Sequence, residues 1–192
     1  MMKQILAILI ISLIGISCIP SGKIEYSIDK DKIDGYRKHL VTNTTLIEII
    51  KSNDEFINLE RNSAISEATL EHHLIGEHLK NGVTTYVVFE YFALEGVICN
   101  IKAVTIDETN NLLSVLRLAN YEEYPDGKLQ ESTIVEDDFA ERITIISGLQ
   151  EYDDSLDQFI MKIDSTVVKY KLNHFKKIEV VDSVFKHHEY FK

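Results

Sequence analysis

The sequence predicts an α+β domain, with an N-terminal amphipathic helical part packed on an antiparallel β-meander of about six to eight strands; the alternative is a mostly-β fold. Three observations carry this reading. Residues 45–60 keep an apolar stripe at helical spacing. Beyond Gly82 the chain becomes a succession of runs rich in β-branched and aromatic residues. Short polar turns, not helix-length crossovers, join those runs, which is the habit of antiparallel neighbours.

The chain start is read apart from the domain. Met1-Met2-Lys3-Gln4 carries one positive charge, and residues 5–16 are almost continuously Ile, Leu and Ala. This stretch is long enough for a secretory h-region and short for a transmembrane helix, so residues 1–17 are expected to be a signal peptide. Gly15-Ile16-Ser17-Cys18 follows, with small residues three and one places before the cysteine. It resembles the lipobox of bacterial lipoproteins, with Gly15 where that family prefers Leu. The resemblance implies cleavage before Cys18, acylation of its thiol, and attachment to a membrane of the cell envelope, on its periplasmic or surface face, through the acyl chains. It covers about the first twenty residues and assigns no functional residue other than Cys18.

Residues 18–42 are expected to be the lipidated N-terminus and a tether, because Asp29-Lys30-Asp31-Lys32-Ile33-Asp34-Gly35 alternates charge without an apolar period. Residues 43–192 then form a single domain. Thr45-Leu46-Ile47-Glu48 matches a capping box, and Leu46, Ile49, Ile50, Phe56 and Ile57 fall on one helical stripe. Residues 62–79 are ambiguous. Ile65, Ala68, His72, Ile75 and Leu79 keep helical spacing, Gly76 weakens a helix, and Asn81-Gly82 suits either a helix end or a two-residue hairpin. Strands are expected over 83–92, 97–106, 112–118, 129–135, 143–146, around Val168, Tyr170 and Leu172, and over 175–184. The turn signals are Glu95-Gly96, Asn110-Asn111, Pro125-Asp126-Gly127 and Asp153-Asp154-Ser155.

Composition narrows the function classes. The 192 residues hold 20 basic and 31 acidic side chains, for a net charge of −11. Loss of Lys3 with the signal peptide leaves 19 basic residues against 31 acidic, a net of −12. Such a chain has no basic face for nucleic acid, so no nucleic-acid partner is expected, and any protein partner steered by charge would be basic. Acyl chains must supply membrane attachment, at about 0.8 kcal/mol per buried methylene, because no polybasic patch does so. Two cysteines give no disulfide framework, and Cys99, among Val97, Ile98 and Ile101, reads as a packed apolar residue.

Motifs for chemistry are weak. Glu71-His72-His73-Leu74-Ile75-Gly76-Glu77-His78 invites a metal reading, but His-x-x-x-Glu-His is one residue longer than the inverted zincin order. His187-His188 reads as solvated. Asp29 to Gly35 puts Ile33 and Asp34 where a calcium loop needs a ligand and Gly. Ser27-Ile28-Asp29-Lys30 and Ser183-Val184-Phe185-Lys186 match only the loose Ser-x-x-Lys pattern. The acidic turns Glu136-Asp137-Asp138 and Asp153-Asp154-Ser155-Leu156-Asp157 read as solvated loop charge. No catalytic residue, metal ligand or cofactor site is assigned. The expectation is a lipid-anchored envelope protein, not an enzyme, acting as a binding or assembly module. An immunity- or inhibitor-type protein against a basic partner stands second, and an envelope hydrolase third.

Overall fold

The computed structural model describes residues 23–57, 69–94, 96–124, 127–153, 158–173 and 175–191. In chain order these form β1 (Ile24–Tyr26), a 3₁₀ turn (Lys30–Lys32), α1 (Ile33–Tyr36), α2 (Thr44–Ser52), β2 (Thr69–Lys80), β3 (Val83–Ala93), β4 (Val97–Ile106), β5 (Leu112–Tyr124), β6 (Gly127–Glu136), β7 (Phe139–Asp153), β8 (Gln158–Asn173) and β9 (Lys176–Phe191). Strands β2 to β9 lie side by side in chain order, each antiparallel to the next, while β1 pairs with β6 off this path.

The α+β class is therefore corrected to mostly β. The described residues hold two short helices against nine strands, one more strand than the upper expectation. The segment that kept helical spacing explains part of the error. It enters β2, where a bulge between Leu74 and Gly76 shifts the pairing by one residue and breaks the period-2 alternation that marks a strand. The Asn81-Gly82 alternative resolves as a hairpin turn joining β2 and β3, with φ of 52° and 75° at its two residues. Positive φ at both central positions is what a type I′ turn requires.

Helix α2 ends at Ser52, short of residue 60. Its N-cap is Asn43, whose Oδ1 accepts from the Leu46 amide at 3.0 Å. Thr45, the expected cap, lies inside the first turn. The apolar stripe holds for its first three members: Leu46, Ile49 and Ile50 are buried on the helix, while Phe56 and Ile57 follow its end, and Phe56 joins the three in packing on Tyr86, Val88, Val104 and Ile106 of β3 and β4. Each such side chain contributes about 1.5–3 kcal/mol when removed from water.

Successive residues of a strand point to opposite faces, so Val87 and Phe89 of β3 look away from α2. There the N-terminal segment covers them. Ile28 is buried in that second core, Ile33 and Tyr36 pack against it, and the Tyr36 ring lies 5.0 Å from that of Phe89. Between the two cores the chain passes around the outer edge of β2. Val41 donates to the His72 carbonyl at 3.0 Å and Leu74 to the His39 carbonyl at 2.8 Å. Residues 28–52 thus clasp the first strands of the sheet: one face, then the edge, then α2 on the other face. The charge alternation read as a tether marks packed chain from Ile24 onward, its Asp and Lys side chains at the surface and Ile28 and Ile33 inward.

Candidate functional site

A buried charged cluster lies beneath α2. Glu90 faces the helix from β3, and the register sets His72 of β2 and Asn100 of β4 on either side of it. Its carboxylate accepts four hydrogen bonds. Oε1 receives the Ile57 amide at 2.8 Å and His72 Nε2 at 3.2 Å; Oε2 receives Asn100 Nδ2 at 2.8 Å and Lys102 Nζ at 2.6 Å. Lys102 also donates to the Glu55 carbonyl and sits 4.4 Å from the centroid of the Phe56 ring. Burial pushes the Glu90 carboxyl pKa up. The hydrogen bond from His72, the charge and hydrogen bond of Lys102, and the Ile57 amide outweigh it and hold the pKa at about 2. Burial lowers the pKa of Lys102, against the pull of Glu90.

This arrangement has the parts of acid–base chemistry without the access. Glu90 is wholly buried, and its oxygens are occupied by protein donors. Its chemistry is to pin residues 55–57 to the sheet. A charge inside the apolar run Val87-Val88-Phe89-Glu90-Tyr91-Phe92, and another in Ile101-Lys102-Ala103-Val104, was the available signal in the sequence.

On the other side of β2, Arg37 forms a two-pronged pair with Glu71, Nε and Nη2 each 2.8 Å from a carboxylate oxygen, and its guanidinium lies 4.2 Å over the Tyr91 ring. His73 Nε2 is 2.8 Å from the same carboxylate. Arg37 and then His73 hold the Glu71 carboxyl at about 2. The histidine-rich motif is therefore divided by the strand: Glu71 and His73 face one way and His72 the other. Opposite Thr85, His78 has its pKa lowered by burial. Among the described residues no group of three or more His, Cys, Asp or Glu side chains is placed to hold a metal ion.

The other motifs are also located. Cys18 lies outside the described residues, as does Asp154. Cys99 is fully buried, and burial pushes its thiol up to about 12. Lys30 is drawn away from Ser27 into an ion pair with Glu123 at 2.6 Å. Ser27 and Lys30 border a surface hollow of about 290 Å³ with Tyr121 and Lys128. Asp137 and Asp138 make the β6–β7 turn, and the Asp138 carbonyl accepts from the Leu172 amide at 2.6 Å. His187 contacts Asp164 across the β8–β9 pair.

The accessible feature is the far end of the sheet. Val180, Val181, Val184 and Phe185 of β9 are about half exposed or more, Phe185 at 64%. Val184 stands opposite Val167 and Phe185 opposite Thr166, so apolar side chains emerge on both faces. Ile145 and Ile146 of β7 are exposed as well. Among the described residues no strand pairs with the outer edge of β9. Sequence reading found this strand and missed its exposure, because alternation reports which residues share a face and not what covers it.

Fold and surface together define an antiparallel meander clasped at one edge by its own N-terminal segment, whose last strand, β9, approaches β5 but among the described residues pairs with β8 alone. No protein-family model, curated protein or solved structure matches the chain.

Proposed function

We propose that the protein is a lipid-anchored component of the cell envelope that acts without catalysis, as a binding or assembly module whose contact surface is the β7–β9 end of the sheet. The observation that carries the binding role is the outer edge of β9, which no strand among the described residues pairs with and which has exposed apolar side chains on both faces. A long exposed apolar edge is a template for a further strand, and proteins ordinarily blunt such edges. The anchor rests on Gly15-Ile16-Ser17-Cys18 alone. Among the described residues no helix is long and apolar enough to cross a membrane.

The two halves are tested separately. Cys18→Ala should move the protein from the membrane to the soluble fraction. Retention of that variant, with no lipid mass on the wild type, rejects the anchor. A photo-activated crosslinker placed at Phe185 in living cells should yield a covalent protein adduct, and its absence at every expression level rejects the contact surface.

A further inference from the structure

We propose that β9 pairs with β9 of a second copy of this chain, antiparallel about a two-fold axis at Val184. The proposal rests on the contact surface above and names its occupant.

The argument starts from the order Asp182-Ser183-Val184-Phe185-Lys186. All five residues are exposed and lie in the part of β9 whose register with β8 is continuous, from Asp182 opposite Lys169 to Phe191 opposite Ile160. On the N-terminal side the register breaks at Val181, where pairing jumps from Asp182 to Val180. A bulge there ends regular pairing, so the continuous ladder begins at Asp182.

In an antiparallel pair with a two-fold axis at Val184, each Asp182 stands opposite the other copy's Lys186, so two opposite-charge pairs form. Val184 meets its own copy between them on the same face. On the other face Ser183 and Phe185 oppose each other twice, covering part of the exposed Phe185 ring. The Asp182 carboxylate accepts from the Ser183 amide, and Lys169 opposite it is turned to Glu141 at 3.2 Å. Sliding the axis by two residues places Lys186 against Lys186 or Asp182 against Asp182. The charges therefore favour the register centred on Val184 over those neighbours, as cross-strand charges do. An edge lysine ordinarily repels an approaching strand. Here its counterpart is an aspartate.

A five-residue ladder is the length of an ordinary strand and a modest interface. Confinement to one membrane raises the effective concentration of two anchored copies and amplifies weak pairing.

The full chain carrying Val184→Cys should form a disulfide-linked dimer on mild oxidation. Cys99 is buried and does not compete. Ser183→Cys should link poorly to itself, since its copy lies diagonally at about 7–8 Å, beyond comfortable disulfide reach. Mixed with Phe185→Cys, it should link well. Asp182→Lys or Lys186→Asp alone should weaken dimerisation by about tenfold, read by sedimentation of the detergent-solubilised protein. The double exchange Asp182→Lys/Lys186→Asp should restore it. A chain that stays monomeric at all concentrations, or a double exchange no better than the singles, overturns the proposal. The crosslinker at Phe185 separates this failure from that of the wider reading. An adduct of twice the chain mass supports the second copy. One of any other mass overturns the second copy and leaves the contact surface standing, and no adduct overturns both.

Discussion

Glu90 and Lys102 illustrate how a buried ion pair differs from a stabilising decoration. Two charges withdrawn from water are tolerated because each has partners: Glu90 has four donors, and Lys102 has a carboxylate, a carbonyl and a ring. Removing one charge strands the other. Lys102→Met should destabilise the fold by about 3–5 kcal/mol. Glu90→Gln/Lys102→Met should cost less than the sum of the two single changes, which a double-mutant cycle in urea would show. Acid acts on the same contacts. The Glu90 and Glu71 carboxyls sit at about 2 in the folded chain against an ordinary 4.5. A depressed folded pKa contributes stability that is complete above the unfolded value and lost as pH falls through the folded one. Stability should therefore decline between about pH 4.5 and 2, and Glu90→Gln should flatten that decline. Cys99 offers a neutral comparison. Cys99→Ser places a hydroxyl in an apolar core and should cost about 1–3 kcal/mol. The native thiol should also resist alkylation until the protein unfolds, and rapid labelling would contradict its burial.

At the scale of elements, α2 shows what the sequence reveals and what it withholds. Leu46, Ile49 and Ile50 announce its buried face, but the cap expected at Thr45 is supplied by Asn43, two residues earlier. Which residue closes the helix depends on where the preceding chain, tied to β2 through His39 and Val41, delivers the backbone. That is tertiary information. Asn43→Ala should cost about 1 kcal/mol and Thr45→Ala distinctly less, which thermal melts of the two variants would rank. Strand β2 was obscured for a different reason. Its bulge breaks the alternation, and its half-buried polar residues are satisfied by partners far away in the chain: His72 by Glu90, and Glu71 by Arg37. The strands from β3 onward were legible because their β-branched and aromatic runs lie between recognisable turns, such as Asn110 at φ 64°. The charged cluster could be seen only as two misplaced charges. Their meeting required the register.

For the molecule as a whole, charge and the proposed attachment pull in opposite directions. With a net charge of −11 for the full chain, contact with an anionic bilayer is repulsive, and only acyl chains are proposed to overcome it. Raising salt should therefore leave the protein on the membrane, whereas detergent should release it; release by salt alone would point to an electrostatic peripheral contact. On the proposed anchor, five residues, 19–23, separate Cys18 from the packed Ile24, at most ~3.3–3.6 Å each. On this reading the sheet is held close to the bilayer.

The clasp sets an order of events for a chain that emerges from its N-terminus. Ile24 pairs with Val135, and Ile28 belongs to a core completed by Tyr170 and Leu172. The first strand made is thus idle until the sixth has been synthesised, and contacts this distant in sequence close slowly. During that interval the leading segment lacks the strand and the core it finally joins, a delay that would suit a chain threaded unfolded through a secretory pore, as the proposed anchor requires.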